Sequence, residues 1–465
     1  MKKQSIWLEN FKNQTKKLDT NEECDVLIIG GGITGLSTAY HLKGKNLKVI
    51  LVERNEIGSG ITSKTTGKIT YLQELIYSKL YKEKGKEVAK LYLNSQLDAI
   101  KIVTNIIKKE KIDCDLEQVK SYVIGNNLEK EKDILKEFNI KVLEDKNAIF
   151  VDDTYVFHPI KYLVKIKEIL ENNNIKIYEH TNIIEIKNDI AYTKEYHIKA
   201  KNIVLACHYP FFLLPLLMPI KGYLEKSYIA SISNIENKKL SAITSNNPTI
   251  SLRYHLNNLI YLNGSHAISN HQNEQKNFDN LINEIKKYGT FDYIWSNQDI
   301  VTNDHLPIIG KINDSLLIAT GYNTWGMTNG SLAGKIISDL ILQIDNKYTD
   351  LFAVKRDKSL YEIKNILNEI VRNGKSFTLS KLINNKKWYS KQVQFKAIKN
   401  DKVGIYIDEN NQKHIVYNKC PHLKCGLIFN EFEKTWDCPC HGSRFDMDGN
   451  LILGPSRYNI TYKKQ

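Results

Sequence analysis

The first strongly apolar run, Asp25-Val-Leu-Ile-Ile-Gly30, has no polar residue inside it and predicts a short parallel strand buried on both faces. Gly-Gly-Gly-Ile-Thr-Gly follows at 30–35, residues 36–42 have helical character, and a second apolar run at 47–52 ends on Glu53. Further on, 91–109 has helical spacing, 175–178 and 183–186 read as short strands, and 202–207 reads as a buried strand leading into a loop. Residues 251–264 alternate as an antiparallel strand and turn. A second α/β block follows, with a strand at 315–321, a glycine-containing loop at 322–330 and an amphipathic helix at 331–343. Residues 345–374 form a polar connector with some helical character, and 375–465 break into short strands and turns around four cysteines.

Strand, glycine turn, helix and strand within about 30 residues is the unit from which dinucleotide sites are built. Gly30, Gly32 and Gly35 fit G-x-G-x-x-G. The first makes the tight turn, the second lets a pyrophosphate approach the backbone, and the third lets the helix pack close to the strand. The helix start offers free N–H groups to phosphate, and Glu53 is placed to accept from a ribose hydroxyl. These residues predict a dinucleotide and leave FAD or NAD open.

Composition excludes some classes. Hydrophobic residues make up 42% and charged residues 25%, which argues against a disordered, collagen-like or polytopic membrane chain. A chain of 465 residues allows about two to three domains. The net charge is +14, yet only six of the 66 basic residues are Arg, and the lysines are scattered. Bidentate reading of phosphates and guanines favours Arg, so a solvated lysine surface is expected and no nucleic-acid partner. The excess charge fits an acidic redox partner or an anionic surface. Residues 1–17 lack the apolar core of a signal peptide. The most apolar stretch, 203–220, carries His208, Pro210, Pro215 and Pro219, and no run approaches the about 20 residues that a transmembrane helix needs. A cytoplasmic chain is expected, with 211–218 as core or pocket lining and peripheral membrane contact as the other reading of that segment.

Cys24, Cys114 and Cys207 are isolated, whereas Cys420, Cys425, Cys438 and Cys440 crowd near the C-terminus. That asymmetry points to a metal or redox site rather than a secreted disulfide framework. Cys420-Pro-His422 and Cys438-Pro-Cys440-His441 together offer two thiolates and two imidazoles. Such a set can hold zinc tetrahedrally, or a [2Fe–2S] cluster of Rieske type in which two His replace two Cys on one iron. A zinc finger more often pairs like with like, whereas here each loop pairs a Cys with a His.

The fuller text of these segments carries resemblances. Residues 29–70 resemble the N-terminus of the D-amino-acid oxidase/glycine oxidase superfamily of FAD enzymes. This implies FAD, with Gly58, Ser59, Gly60, Thr62 and Ser63 contacting the cofactor after the ribose acid. Residues 318–341 resemble the family's second flavin contact, which implicates Gly321, Trp325, Gly326, Met327 and Thr328. Some members bind flavin covalently through a His or Cys near these motifs; residues 58–70 and 321–330 contain neither, so non-covalent FAD is expected. Cys420-Pro-His-Leu-Lys-Cys425-Gly and Cys438-Pro-Cys-His-Gly-Ser-Arg-Phe-Asp446, with Gly449 and Gly454-Pro455, resemble a Rieske domain. The resemblance implies that Cys420 and Cys438 bind one iron, that His422 and His441 bind the other, and that Cys425 and Cys440 form a disulfide between the loops. Rieske-type ring oxygenases carry a later 2-His-1-carboxylate iron site; no histidine follows His441, which excludes that class.

The two ends together resemble a bacterial family of FAD-dependent oxidoreductases with a C-terminal Rieske domain. The expected fold is α/β plus all-β: a Rossmann-like FAD-binding domain with an inserted antiparallel-sheet substrate domain over 1–372, then a small all-β Rieske domain over 373–465. The implied reaction is dehydrogenation of a C–N bond in an amine or amino acid, with electrons passing from flavin to the cluster and on to an unidentified acceptor. The alternatives are an oxidase that uses O₂ directly and a non-catalytic electron-transfer protein. A carboxylate substrate would want an Arg, so Arg253 and Tyr254 are candidate catalytic residues, against a structural ion pair for Arg253. His305 is a third candidate, against a satisfied loop histidine, and residues 64–68 are candidates to approach the flavin.

Overall fold

The computed structural model describes residues 1–9, 11, 15–211, 218–270, 272–356, 360–382, 390–398 and 401–462. Of the apolar segment 211–218, residues 212–217 lie outside the described residues.

The strand Glu22–Ile29 is central in a mainly parallel sheet, flanked by Val49–Val52 on one side and His197–Leu205 on the other. Leu316–Thr320 and Lys176–Tyr178 extend it in parallel, and Ile308–Lys311 closes one edge antiparallel. Alternation explains the unbroken apolar runs: Val26, Ile28 and Leu51 enter the core on one face of the sheet, and Leu27, Ile29, Ile50 and Val52 a second core on the other. The helices Ile33–Leu42 and Gly326–Leu342 pack together, with the Ser37 hydroxyl donating to the Ser331 carbonyl at 2.8 Å.

A second sheet of nine mainly antiparallel strands begins with Phe291–Thr302, Gly222–Ser233, Asn258–Ala267 and Ile250–His255 in spatial order. This is the expected inserted sheet. The C-terminal unit holds two small antiparallel sheets, of three and four strands, around Trp436, Phe429 and Phe445. The architecture is therefore mixed α/β joined to a small all-β unit.

Several element boundaries differ from expectation. The strand read at 202–207 runs over His197–Leu205, because its polar first half pairs with the short strand Ile190–Tyr192. The strand read at 183–186 is Glu185–Lys187. The helix read from 331 begins at Gly326: glycines that looked like loop form the first turns of the helix, where small residues let it approach its neighbours. The connector contains the helix Leu360–Leu382, which crosses the expected boundary at 372/373.

The strands Gly222–Ser233 and Phe291–Thr302 lie side by side and separate the two halves of the site. Glu225, Ser227, Asn297 and Asp299 face a cavity. Lys226 and Ser296, one position out of phase, face the C-terminal unit, where Lys226 meets Asp437 at 3.2 Å and the Ser296 hydroxyl meets Glu433 at 2.7 Å.

Candidate functional site

A cleft opens at the carboxyl ends of the parallel strands, the usual ligand position in such sheets. Gly30, Gly32, Glu53, Gly58, Gly60 and Thr62 line it, as do Gly321, Gly326 and Met327. The Thr34 and Tyr322 hydroxyls, 2.8 Å apart, tie the two glycine-containing segments together. The Glu53 carboxylate accepts the Gly31 N–H at 2.7 Å and the Asn55 N–H at 2.9 Å, which fixes it at the rim. Gly30 has φ +118°, and a Cβ there would sit 2.6 Å from the Ala206 carbonyl oxygen. Gly35 does not line the cleft; a Cβ on it would lie 1.9 Å from the Gly30 carbonyl oxygen, so it sets the approach of helix to turn. Gly35→Ala is therefore expected to wedge the helix off the strand and yield protein without bound flavin, read from the visible spectrum after purification.

Other expected contacts are placed less directly. Ser63 is fully buried, and its hydroxyl donates to the Gly60 and Ser59 carbonyls, shaping the loop rather than lining the cleft. Ser59 lines a separate surface recess beside Lys64. Trp325 lines a second cavity, and the Thr328 hydroxyl donates to the Trp325 carbonyl at 3.3 Å in the first turn of the helix.

That second cavity shares Thr65, Asn297, Asp299, Thr324, Gly326 and Met327 with the cleft. Lys68, Glu74 and Glu225 also line it. Burial pushes Asp299 up to about 7, with Glu225 adding to the effect. Burial likewise pushes Glu74 up to about 7 and, helped by Arg253, Lys68 down to about 7.

The three candidate catalytic residues lie outside both cavities. Arg253 is fully buried; its guanidinium donates to the carbonyls of Gly67, Phe157 and Tyr254 and stacks over Trp7. This corrects the expected carboxylate clamp, because the side chain lies outside both cavities, with Nε and Nη1 joining segments of the fold and Nη2 buried without a partner. Tyr254 packs in the core with Tyr228 and Tyr261. His305 sits in a turn with φ +60°, and burial pushes it down to about 4.

In the C-terminal unit, Cys420 and His422 follow the strand Lys413–Tyr417, while Cys438 and His441 sit between Thr435–Asp437 and Arg444–Asp446. Each loop is closed by its own backbone: the Cys420 N–H donates to the Cys425 carbonyl at 2.8 Å and the Cys438 N–H to the Ser443 carbonyl at 2.7 Å. The thiols of Cys420 and Cys438 hydrogen-bond, and the rings of His422 and His441 are 5.1 Å apart. Both ring nitrogens of His422, and Nδ1 of His441, are buried without a partner. Burial pushes these imidazoles down to about 4 and about 3, the neutral form a metal ligand needs. Two thiols beside two orphaned neutral imidazoles fit a cluster with one sulfur-ligated and one nitrogen-ligated iron. Cys425 and Cys440 form a disulfide between the loops. Their sulfurs also lie within 4.8 Å of Cys438, but an oxidised pair offers no thiolate to a metal.

Sequence reasoning missed how closely the two halves share a site. Residues 452–457 of the C-terminal unit line the cleft, and Arg54 donates to the Ile452 carbonyl at 2.9 Å. Tyr209, just after the strand His197–Leu205, lines the cleft and also stands 6.2 Å, ring to ring, from His441. No local signal marks these contacts.

Fold and site together define a flavoprotein oxidoreductase fused to a Rieske iron–sulfur unit. The FAD dependent oxidoreductase family matches residues 25–340 and the Rieske [2Fe-2S] domain family residues 381–462; the chain belongs to the FAD-dependent oxidoreductases and carries a Rieske domain. It is 31% identical to the putative Rieske 2Fe-2S iron-sulfur protein YhfW of Bacillus subtilis (strain 168), over 94% of this chain and 93% of that one. It is 24% identical to gamma-glutamylputrescine oxidoreductase of Escherichia coli (strain K12), over 73% of this chain and 89% of that one. Glycine oxidase from Geobacillus kaustophilus superposes with TM-score 0.61 at 16% identity, covering 73% of this chain and all of that one. FAD and a [2Fe-2S] cluster are the cofactors of these two families. No helix among the described residues is long and apolar enough to cross a membrane.

Proposed function

We propose that the chain is an amine dehydrogenase: it oxidises a C–N bond at FAD and sends the electrons through its own Rieske cluster to an external acceptor. Bound in the cleft, FAD supplies two-electron acceptance from the substrate, and the cluster supplies one-electron transfer at a potential raised by its histidine ligands. The observation that carries the reading is Tyr209, which touches both the cleft and the ring of His441. A cluster kept only for structure needs no such contact. The superfamily relatives, among them an L-amino acid deaminase from Proteus vulgaris, support the C–N chemistry.

The chain's own residues set the reaction up. Glu53 and the Gly30–Gly35 turn hold the dinucleotide, and the cavity past Met327 receives substrate. The test is an anaerobic titration of the holoenzyme with a panel of amines and amino acids, followed by visible and EPR spectra. Bleaching of the flavin followed by a reduced-cluster signal supports the dehydrogenase. Bleaching with the cluster left oxidised supports the oxidase. In the dehydrogenase, Tyr209→Leu is expected to slow the cluster signal about tenfold relative to flavin bleaching, roughly 1.4 kcal/mol of barrier. Tyr209→Phe keeps the ring and is expected to restore the rate.

A further inference from the structure

We propose that the cavity beside the cleft recognises an aliphatic amine that carries a second cationic group and no carboxylate. The inference deepens the dehydrogenase reading and rests on it for the amine's fate.

Pairing register supplies the first observation. Glu225 and Asp299 stand directly opposite each other on adjacent antiparallel strands, both facing the cavity. Like charges at such positions destabilise a sheet unless something lies between them to offset the repulsion. No salt bridge among the described residues engages Glu225, Asp299 or Glu74. Asp299 accepts one hydrogen bond, from the Asn297 amide at 2.7 Å. Tyr223 hydrogen-bonds Glu225, and Lys79 acts on Glu74 and Glu225 without a close pair to either.

The second observation is an unsatisfied amide oxygen. Asn297 lies where cavity and cleft join, is only 6% exposed, and has an Oδ1 with no hydrogen-bond partner. A buried acceptor left open at that junction asks for a donor from a ligand. An ammonium group, or an amine N–H, supplies one.

The remaining lining restricts the ligand further. Among the described residues no arginine lines the cavity, and Arg253 is buried outside it with Nη1 on the Gly67 and Phe157 carbonyls. The one lysine, Lys68, gives its ammonium hydrogens to the Ala242 carbonyl at 2.7 Å and the Ser251 hydroxyl at 2.6 Å. Ile229, Ile243, Leu262, Trp325 and Met327 supply apolar walls suited to a methylene chain. Three carboxylates against one engaged lysine favour a cation and disfavour an α-carboxylate.

The groups facing Asp299 fix the sign of the pH effect. Below about 7, Asp299 and Glu74 take up protons and Lys68 gains its charge, so the cavity loses negative character. Cation binding is therefore expected to strengthen between pH 6 and pH 8.

The test uses anaerobic holoenzyme reduced with dithionite, in which a bound amine cannot be oxidised. Calorimetry at pH 8 compares 1,4-diaminobutane, butylamine and 4-aminobutyrate. The diamine is expected to bind about tenfold or more tighter than butylamine, with no measurable binding of the amino acid. Glu225→Gln and Asp299→Asn are each expected to weaken the diamine about tenfold. Both variants should unfold at a temperature no lower than the unsubstituted protein, because each relieves a like-charge contact. Equal affinity for the three compounds, preference for the carboxylated one, or unchanged diamine binding in both variants overturns the proposal. Oxidised enzyme separates the two readings. A diamine that binds without bleaching the flavin upholds the cation site and overturns the dehydrogenase. An amino acid that bleaches the flavin while the diamine fails to bind does the reverse.

Discussion

Cys438→Ser is expected to yield protein with no iron and no acid-labile sulfide, while its flavin band remains. The serine hydroxyl is not ionised at neutral pH and cannot replace the thiolate, so the sulfur-ligated iron keeps only Cys420 and the cluster loses one of its four protein ligands. The flavin is expected to stay because the C-terminal unit is held by groups other than the cluster ligands. Arg54 holds the Ile452 carbonyl, and Arg457 donates to the Ile184 carbonyl at 2.6 Å. Phe432 stacks on Phe278 with centroids 3.9 Å apart. The cleft wall at 452–457 therefore keeps its place when the cluster is gone. Iron and sulfide analysis beside the visible spectrum checks this. Loss of both cofactors would mean instead that the cluster itself holds the two units together.

The motifs legible in the sequence are those whose geometry is local. The turn at Gly30–Gly35 and the Cys-x-His and Cys-x-x-His loops each bring their groups together within a few residues. Spacing along the chain is then almost the same information as spacing in space. The acids of the second cavity are different. Glu225 and Asp299 are 74 positions apart and meet only because two strands pair in one register. A faint signal was there: Glu225-Lys226 places two charges side by side in an otherwise uncharged strand. Period-2 alternation must then send them to opposite faces, each needing a partner. Arg253 misled for the same reason. Rarity marked it as special, but only the fold shows that its guanidinium serves three backbone carbonyls. The contact of Tyr209 with His441 joins two domains and has no sequence signature at all.

Arg444→Ala is expected to destabilise the holoenzyme by about 3–5 kcal/mol, the cost of breaking a buried ion pair by removing one partner. Arg444 donates to Asp437 at 3.1 Å, Glu433 at 2.7 Å, Thr435 at 3.0 Å and Ser296 at 3.3 Å. Lys226, from the substrate-side sheet, completes the network with Asp437 and with Glu274 at 2.8 Å. The network thus spans the domain interface, one strand layer away from the cation cavity. Removing Arg444 leaves Lys226 as the one close cation for the Glu433 and Asp437 carboxylates among the described residues, with Lys64 further off, in a largely buried site. Arg444→Lys is expected to recover only part of the loss, because a single ammonium cannot reproduce the planar fork that reaches four acceptors. Burial alone would raise the Glu433 and Asp437 carboxyls, but Arg444 and Lys226 outweigh it and hold both below the usual range. Carboxyls depressed in this way contribute stability that is complete above their unfolded values near pH 4 and is lost as the pH falls further through the folded ones. The interface is therefore expected to hold at neutral pH and to loosen only in acid. Urea unfolding of the holoenzyme between pH 7 and pH 3 should show a steeper acid loss for the unsubstituted protein than for Arg444→Ala. Equal slopes would mean that the network adds nothing to docking.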